Sequence, residues 1–161
     1  STIRLVCPHT CGCDHPQSSL YLNGAAYGCP VESCKARTTY KVALEAIPCS
    51  TSDVRQHPNW TNFVRNMDAY FVESEIDDQG VMNELLTNGY DAVKDYQEIL
   101  CVETLANSGF SLWCPVECGC RVPNGFYDTT CPPSCEQWRS KYEESLGQLP
   151  CEDASAVEFT S

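Results

Sequence analysis

One pattern of cysteines is written twice in this chain. Cys7-Pro-His-Thr-Cys11-Gly-Cys13 returns as Cys114-Pro-Val-Glu-Cys118-Gly-Cys120. The first motif is followed by Cys29-Pro, Cys34 and Cys49, and the second by Cys131-Pro, Cys135 and Cys151, so each set holds six cysteines in the same order. Ahead of the last cysteine of each set the spacing Arg-x-x-Tyr-x-x-x-Leu-x-x-x-Pro-Cys is kept without a gap. It reads Arg37, Tyr40, Leu44, Pro48, Cys49 and then Arg139, Tyr142, Leu146, Pro150, Cys151. The agreement makes the chain read as a tandem repeat with a period of 102 residues, the distance from Cys49 to Cys151. Its expected organisation is the C-terminal half of one unit over 1–49, a complete unit over 50–151 (helical over 60–106, cysteine-rich over 114–151), and a tail or the start of a next unit over 152–161.

Thirteen cysteines in 161 residues, laid out in two matching sets, point to a disulfide framework made in an oxidising compartment. The cysteines expected in bonds are Cys7, Cys11, Cys13, Cys29, Cys34, Cys49, Cys114, Cys118, Cys120, Cys131, Cys135 and Cys151. Cys101 stands outside the two sets and reads as an intermolecular or free thiol; alternatively it pairs within its own unit while another cysteine reaches outward. Its counterpart in the first unit would lie ahead of Ser1. An odd number per unit invites bonds between neighbouring units or chains. The pairing itself cannot be read from spacing, except that one Gly between Cys11 and Cys13, or between Cys118 and Cys120, makes a bond within that pair strained. Gly12 and Gly119 read as turns, and the Pro after the first cysteine, with its fixed φ, is expected to keep the chain extended there.

A formal charge of −12, from 22 acidic and 10 basic residues with no Lys/Arg cluster, excludes nucleic acid as a partner, because phosphate binding rests on concentrated positive charge. It also disfavours anionic membranes, and no run of about 18 apolar residues is present to insert directly into one. The chain opens Ser1-Thr-Ile-Arg4 without a signal-peptide pattern and reads as processed or excised from a longer array. The sequon Asn59-Trp60-Thr61 marks Asn59 as a candidate glycosylation site in a secreted protein.

Between the cysteine blocks the pattern is helical. Trp60, Phe63, Val64, Met67, Tyr70 and Phe71 fall on one helical face. A short helix is expected at Val81–Leu86, closed by Asn88-Gly89. Another is expected from Asp91, as cap, to Ala106, with Val93, Tyr96, Leu100 and Thr104/Leu105 on one stripe and Gly109 beyond its end. Arg37–Ile47 and Arg139–Leu149 are further helices stopped by Pro48 and Pro150. Asp14–Gly28 and Arg121–Thr130 read as turns. The fold expected is thus small, disulfide-rich and mainly α, with irregular stapled loops in tandem repeat.

Catalytic and metal chemistry find little support in these residues. Familiar zinc and iron–sulfur sites repeat a two-residue spacer, whereas the spacers here are three residues and one. A redox-active Cys-Gly-Cys pair would sit in a βαβ pattern that is not visible. Cys101 as a nucleophile has no partner base in view, since His9, His15 and His57 sit in loop-like text. Glu73, Glu75, Asp77 and Asp78 form an acidic patch without EF-hand spacing and read as a solvated face. Trp60, Trp113 and Trp138 read as core or inter-repeat packing rather than a sugar platform. No cofactor and no enzyme activity are expected.

The stretch Cys101–Cys120 resembles the C-terminal half of ShKT-type modules, with one residue fewer between the last two cysteines. Cys7–Cys49 and Cys101–Cys151 resemble more closely the cysteine-rich tandem repeats with Cys-Pro-x-x-Cys-Gly-Cys motifs of dinoflagellate-type protist surface or secreted proteins. That likeness implies architecture rather than chemistry. The expectation is an extracellular or cell-surface structural protein, delivered by the secretory pathway and forming part of a fibre, surface coat or appendage. It would associate with itself or with other extracellular proteins. The alternatives are a secreted module that binds a protein, channel or glycan, and a lumen-facing peripheral subunit of a larger complex.

Overall fold

The apolar stripe after Asn59 does become a helix, and the core is built on it. A computed structural model describes residues 2–18, 28–73, 78–101, 109–122 and 131–151, with side-chain surroundings left out at residues 2, 68–73, 78 and 79. Among the described residues the protein is mainly helical and contains no strand. Five helices make its central part: α4 (Trp60–Glu73), α5 (Asp78–Asn88), α6 (Tyr90–Asp95), α7 (Gln97–Leu100) and α8 (Phe110–Trp113). α4 packs on α5, and α5 on α6.

Trp60, Phe63, Val64 and Met67, one face of α4, are all at most 2 % exposed. They meet Leu85, Val93, Leu100, Phe110 and Trp113 in one cluster. The rings of Trp60, Phe63, Phe110 and Trp113 pack edge-to-face, tilted and offset with centroids 5.1 to 6.2 Å apart, a spacing that adds to area burial. The Trp60 indole donates to the Leu85 carbonyl at 3.1 Å, satisfying a donor that burial would otherwise leave unpaired. The backbone of Tyr70 and Phe71 continues α4. The expected acidic patch falls outside the described residues at 74–77, as do the side chains of Glu73 and Asp78.

Two helix expectations are corrected. α5 begins at Asp78, earlier than the pattern from Val81 implied. The segment from residue 91 is not one helix: it starts at Tyr90 with Gly89 as its N-cap, so Asp91 lies in the first turn, and it breaks at Tyr96 (φ −110°, ψ 27°) before α7. The break turns Leu100 and Cys101 into the core, where both are at most 1 % exposed and Cys101 meets Cys118. Gln97 holds the turn by donating to the Glu117 carbonyl at 2.6 Å. Thr104, Leu105 and Ala106 fall outside the described residues.

The two Cys-Pro-x-x-Cys-Gly-Cys segments share one backbone geometry. Cys11 N–H donates to the Cys7 carbonyl, Gly12 to His9 and Cys13 to Pro8, at 2.9 to 3.0 Å. Cys118 donates to Cys114, Gly119 to Val116 and Cys120 to Pro115, at 2.8 to 3.0 Å. Each is a single helical turn closed by the paired bonds of a Schellman motif. Gly12 (φ 76°) and Gly119 (φ 77°) occupy the left-handed position this closure needs. Pro8 and Pro115 therefore open a helical turn rather than extend the chain, since the first position of a turn needs no N–H and suits proline's fixed φ. α1 (Thr2–Val6) precedes the first turn and leaves Ile3, Leu5 and Val6 exposed. All four residues of α8, which precedes the second, are buried.

After each Cys-Pro a second helical part follows. In the first set it is α2 (Val31–Lys35) and α3 (Thr38–Glu45), separated at an extended Arg37. In the second, a 3-10 turn at Pro133–Cys135 runs straight into α9 (Glu136–Gly147). The first set has one more residue between its Cys-Pro and its next cysteine, so its chain has to reset before α3.

Truncating the core aromatic should show how much stability it holds. Phe63→Ala is expected to cost about 3 to 5 kcal/mol, and Val42→Ala, on the exposed face of α3, less than about 0.5 kcal/mol. Urea denaturation without reductant, followed by far-UV circular dichroism, measures both.

Candidate functional site

The residues that carry chemistry are the cysteines, and four of them, Cys49, Cys120, Cys131 and Cys135, converge where the first set meets the second. Ala46, Ile47 and Pro48 lead the chain off α3 to Cys49, which bonds Cys135 across 86 residues. Ile47 and Cys49 are 5 % and 6 % exposed. The Ile47 carbonyl accepts from the Ser134 hydroxyl at 2.6 Å. The Cys49 carbonyl accepts from Arg121 Nε at 3.0 Å and also from its Nη2. The Arg121 guanidinium lies over the Trp138 ring, 4.2 Å from its centroid, so one side chain ties the incoming strand of chain to α9. Thr51 adds a hydrogen bond to Glu117 at 2.7 Å, and Gln17 donates to the Leu112 carbonyl at 2.8 Å. Cys49–Cys135 packs against Cys120 and Cys131, themselves bonded, so two disulfides form one small cluster.

Four disulfides are present. Cys13–Cys29 and Cys120–Cys131 join the third cysteine to the fourth in each set. Cys49–Cys135 joins the sixth of the first set to the fifth of the second. Cys101–Cys118 fastens the end of α7 to the second Cys-Gly-Cys turn. Cys101 is thus not a free or outward-reaching thiol; the alternative in which it pairs within its own stretch is the one realised, because the break at Tyr96 brings it under Cys118. Cys7, Cys11, Cys34, Cys114 and Cys151 are free thiols here. Spacing could not reveal which cysteines remain single, since burial and the approach of segments far apart in sequence decide it.

The free thiols differ in reactivity. Burial pushes the Cys34 thiol up, aided by the nearby Asp14 charge and opposed by Arg37. Burial pushes Cys114 up far more, with Glu117 adding to it. Both are protonated near neutral pH and are weak nucleophiles. Cys7 and Cys151 are exposed. Cys34 lies in a cluster with the Cys13–Cys29 bond, Cys11 and Val31.

The three histidines make separate contacts. His9 pairs with the buried Asp14 at 2.6 Å, and His15 accepts from the Gln17 N–H. His57 stands edge-on to Trp113 at 4.7 Å; partial burial, with the His15 charge second, holds its pKa below the usual histidine value. A shallow cleft of about 280 Å³ lies here, lined by Gln17, Asp53, His57, Pro58 and Trp113 among others. The buried Trp113 Nε1 has no hydrogen-bond partner among the described residues. Among those residues no group of three or more His, Cys, Asp or Glu side chains is placed to hold a metal ion, and no helix is long and apolar enough to cross a membrane. Asn59 is exposed immediately before α4, while its neighbour Trp60 is buried. Trp60 and Trp113 lie in the core and Trp138 at the junction.

Compared with models of protein families, with curated proteins and with solved structures, the chain matches none.

Two outcomes are expected of this geometry. Removing the long-range bond with a Cys49→Ser, Cys135→Ser double substitution should cost up to about 4 to 5 kcal/mol, the loop-entropy value for so large a ring, read as a loss of denaturation midpoint without reductant. The second concerns pH. With its folded-state pKa depressed, His57 resists protonation, so its contribution to stability is complete above the unfolded value of about 6.5 and is lost as pH falls below it. Trp fluorescence should report the titration of His57 against Trp113 with a midpoint below that of free histidine, and His57→Gln should remove the transition.

Proposed function

We propose that this is a non-enzymatic extracellular structural protein, built from tandem repeats and contributing to a fibre, surface coat or appendage. The Cys49–Cys135 bond carries the reading: it crosslinks the end of one cysteine set to the body of the next. A repeat fastened covalently to its neighbour needs no large shared core, and such nearest-neighbour linkage suits extended assembly. The matching third-to-fourth bonds, Cys13–Cys29 and Cys120–Cys131, support treating the sets as equivalent units. Disulfides at this density are typical of the secretory pathway. The exposed Asn59 is accessible to glycosylation there. The charge of −12 keeps nucleic acid out of the list of partners, and self-association or contact with other extracellular proteins remains.

A second reading, a secreted binding module, is favoured by the cleft lined by Gln17, Asp53, His57, Pro58 and Trp113, where an aromatic wall stands beside polar side chains.

Sedimentation of the purified chain over a hundredfold range of concentration separates the two. The structural reading expects mass to rise with concentration. A compact monomer at every concentration, together with saturable binding to an extracellular ligand, would establish the binding module instead.

A further inference from the structure

From the junction inside the chain we infer a second one between chains: Cys151 of one molecule bonds Cys34 of a second copy, joining the copies head to tail as Cys49 joins Cys135. The inference rests on the structural-assembly reading and names its covalent link.

The argument is positional. Cys49 and Cys151 are both the sixth cysteine of a set, and Cys135 and Cys34 are both the fifth. The single bond between sets joins a sixth to a fifth. Cys151 and Cys34 are the sixth and fifth left without a bond, one at each side of that link.

The surroundings repeat along with the thiols. Cys151 is preceded by Leu149 and Pro150, as Cys49 is by Ile47 and Pro48. Ile47 and Cys49 are buried where they dock, whereas Leu149 is 67 % exposed, Leu146 is 47 % exposed and Cys151 is exposed. An apolar segment that is covered in one set therefore lies bare in the other. On the receiving side, Ser33-Cys34 matches Ser134-Cys135. Ser134 donates its hydroxyl to the Ile47 carbonyl, and the exposed Ser33 is free to do the same for Leu149 of the incoming copy. One contact is not repeated: Asp14 stands where Arg121 does and is held by His9, so the incoming carbonyl of Cys151 gains no guanidinium. The seam between chains is accordingly weaker in hydrogen bonds than the one within.

Bond formation needs an oxidant, supplied by a small-molecule or protein disulfide. The exposed Cys151 thiolate attacks the donor's S–S bond, forming a mixed disulfide and releasing one donor thiol. A solvent base takes the proton of Cys34, which lies beside Cys11 and the Cys13–Cys29 bond, and the resulting thiolate attacks the Cys151 sulfur. Because burial holds this thiol protonated, the second exchange is the slower one. The second donor thiol leaves. Two protein thiols are oxidised to one disulfide, and one donor disulfide is reduced to two thiols.

The test is oxidation of the full 161-residue chain in a glutathione redox buffer, followed by non-reducing electrophoresis and peptide mapping. A ladder of covalent multimers containing a Cys34–Cys151 peptide is expected. Cys34→Ser and Cys151→Ser should each stay monomeric alone, an equal mixture of the two should stop at a covalent dimer, and Cys7→Ser should keep the ladder. A ladder that survives in either of the first two variants overturns the inference. So does a Cys11–Cys34 or Cys34–Cys151 bond found within one monomer. Multimers that sediment together but lack the Cys34–Cys151 peptide overturn this link alone and leave the assembly reading standing; a chain monomeric under oxidation and at high concentration overturns both.

Discussion

The Cys49–Cys135 bond is the constraint on which the arrangement of the two halves depends. The large apolar cluster is drawn from residues 54 to 118 and needs nothing from the first fifty. Ahead of it, α1 exposes its apolar side chains, α3 has no buried residue, and the buried cluster consists of Cys13, Cys29 and Cys34 with Cys11 and Val31 beside them. This segment has, among its described residues, a buried apolar area that is small against the conformational entropy that folding costs. It is held by a covalent bond, by the seating of Ile47, and by hydrogen bonds from Ser134, Arg121 and Gln17.

The molecule thus divides its stability between two mechanisms. The central helices follow the usual rule for an amphipathic bundle, in which α4 buries one face and aromatic rings fill the interior. The flanking parts rely on crosslinks that act mainly on the unfolded chain. Where the two meet, Cys101–Cys118 fastens the end of α7 to the Cys-Gly-Cys turn, and Gln97 holds the backbone that presents it. Loss of the disulfides would therefore free the flanks before it loosened the Trp60–Phe63–Phe110–Trp113 cluster, because among the described residues the buried clusters of the flanks are built mostly of cysteines.

Much of this was legible in the residues. The period of α4 announced its buried face, and Trp60, Phe63, Val64 and Met67 lie on it. The Gly of each Cys-Gly-Cys is where the backbone must turn left-handed, and Pro48 follows the end of α3. What stayed hidden had a common cause. The kink at Tyr96 is set by the demand that Leu100 and Cys101 enter the core, and no local pattern encodes that demand. Pro8 and Pro115 satisfy both an extended chain and the first position of a turn, so proline alone could not choose between them. The unpaired indole of Trp113 is visible only when distant segments have closed around it.

By itself the sequence determined the buried face of α4, the left-handed glycine in each Cys-Gly-Cys turn and the net negative charge, because each rests on short-range periodicity, on residue-specific backbone preference or on composition. Tertiary structure decided which cysteines bond. A disulfide requires two Cα atoms about 4.4 to 6.8 Å apart with their side chains facing, and Cys49 reaches Cys135 at 5.0 Å across a sequence separation of 86, only after the chain between them has folded. That distance is a property of the whole fold, which is why Cys101 lies paired and Cys151 lies open.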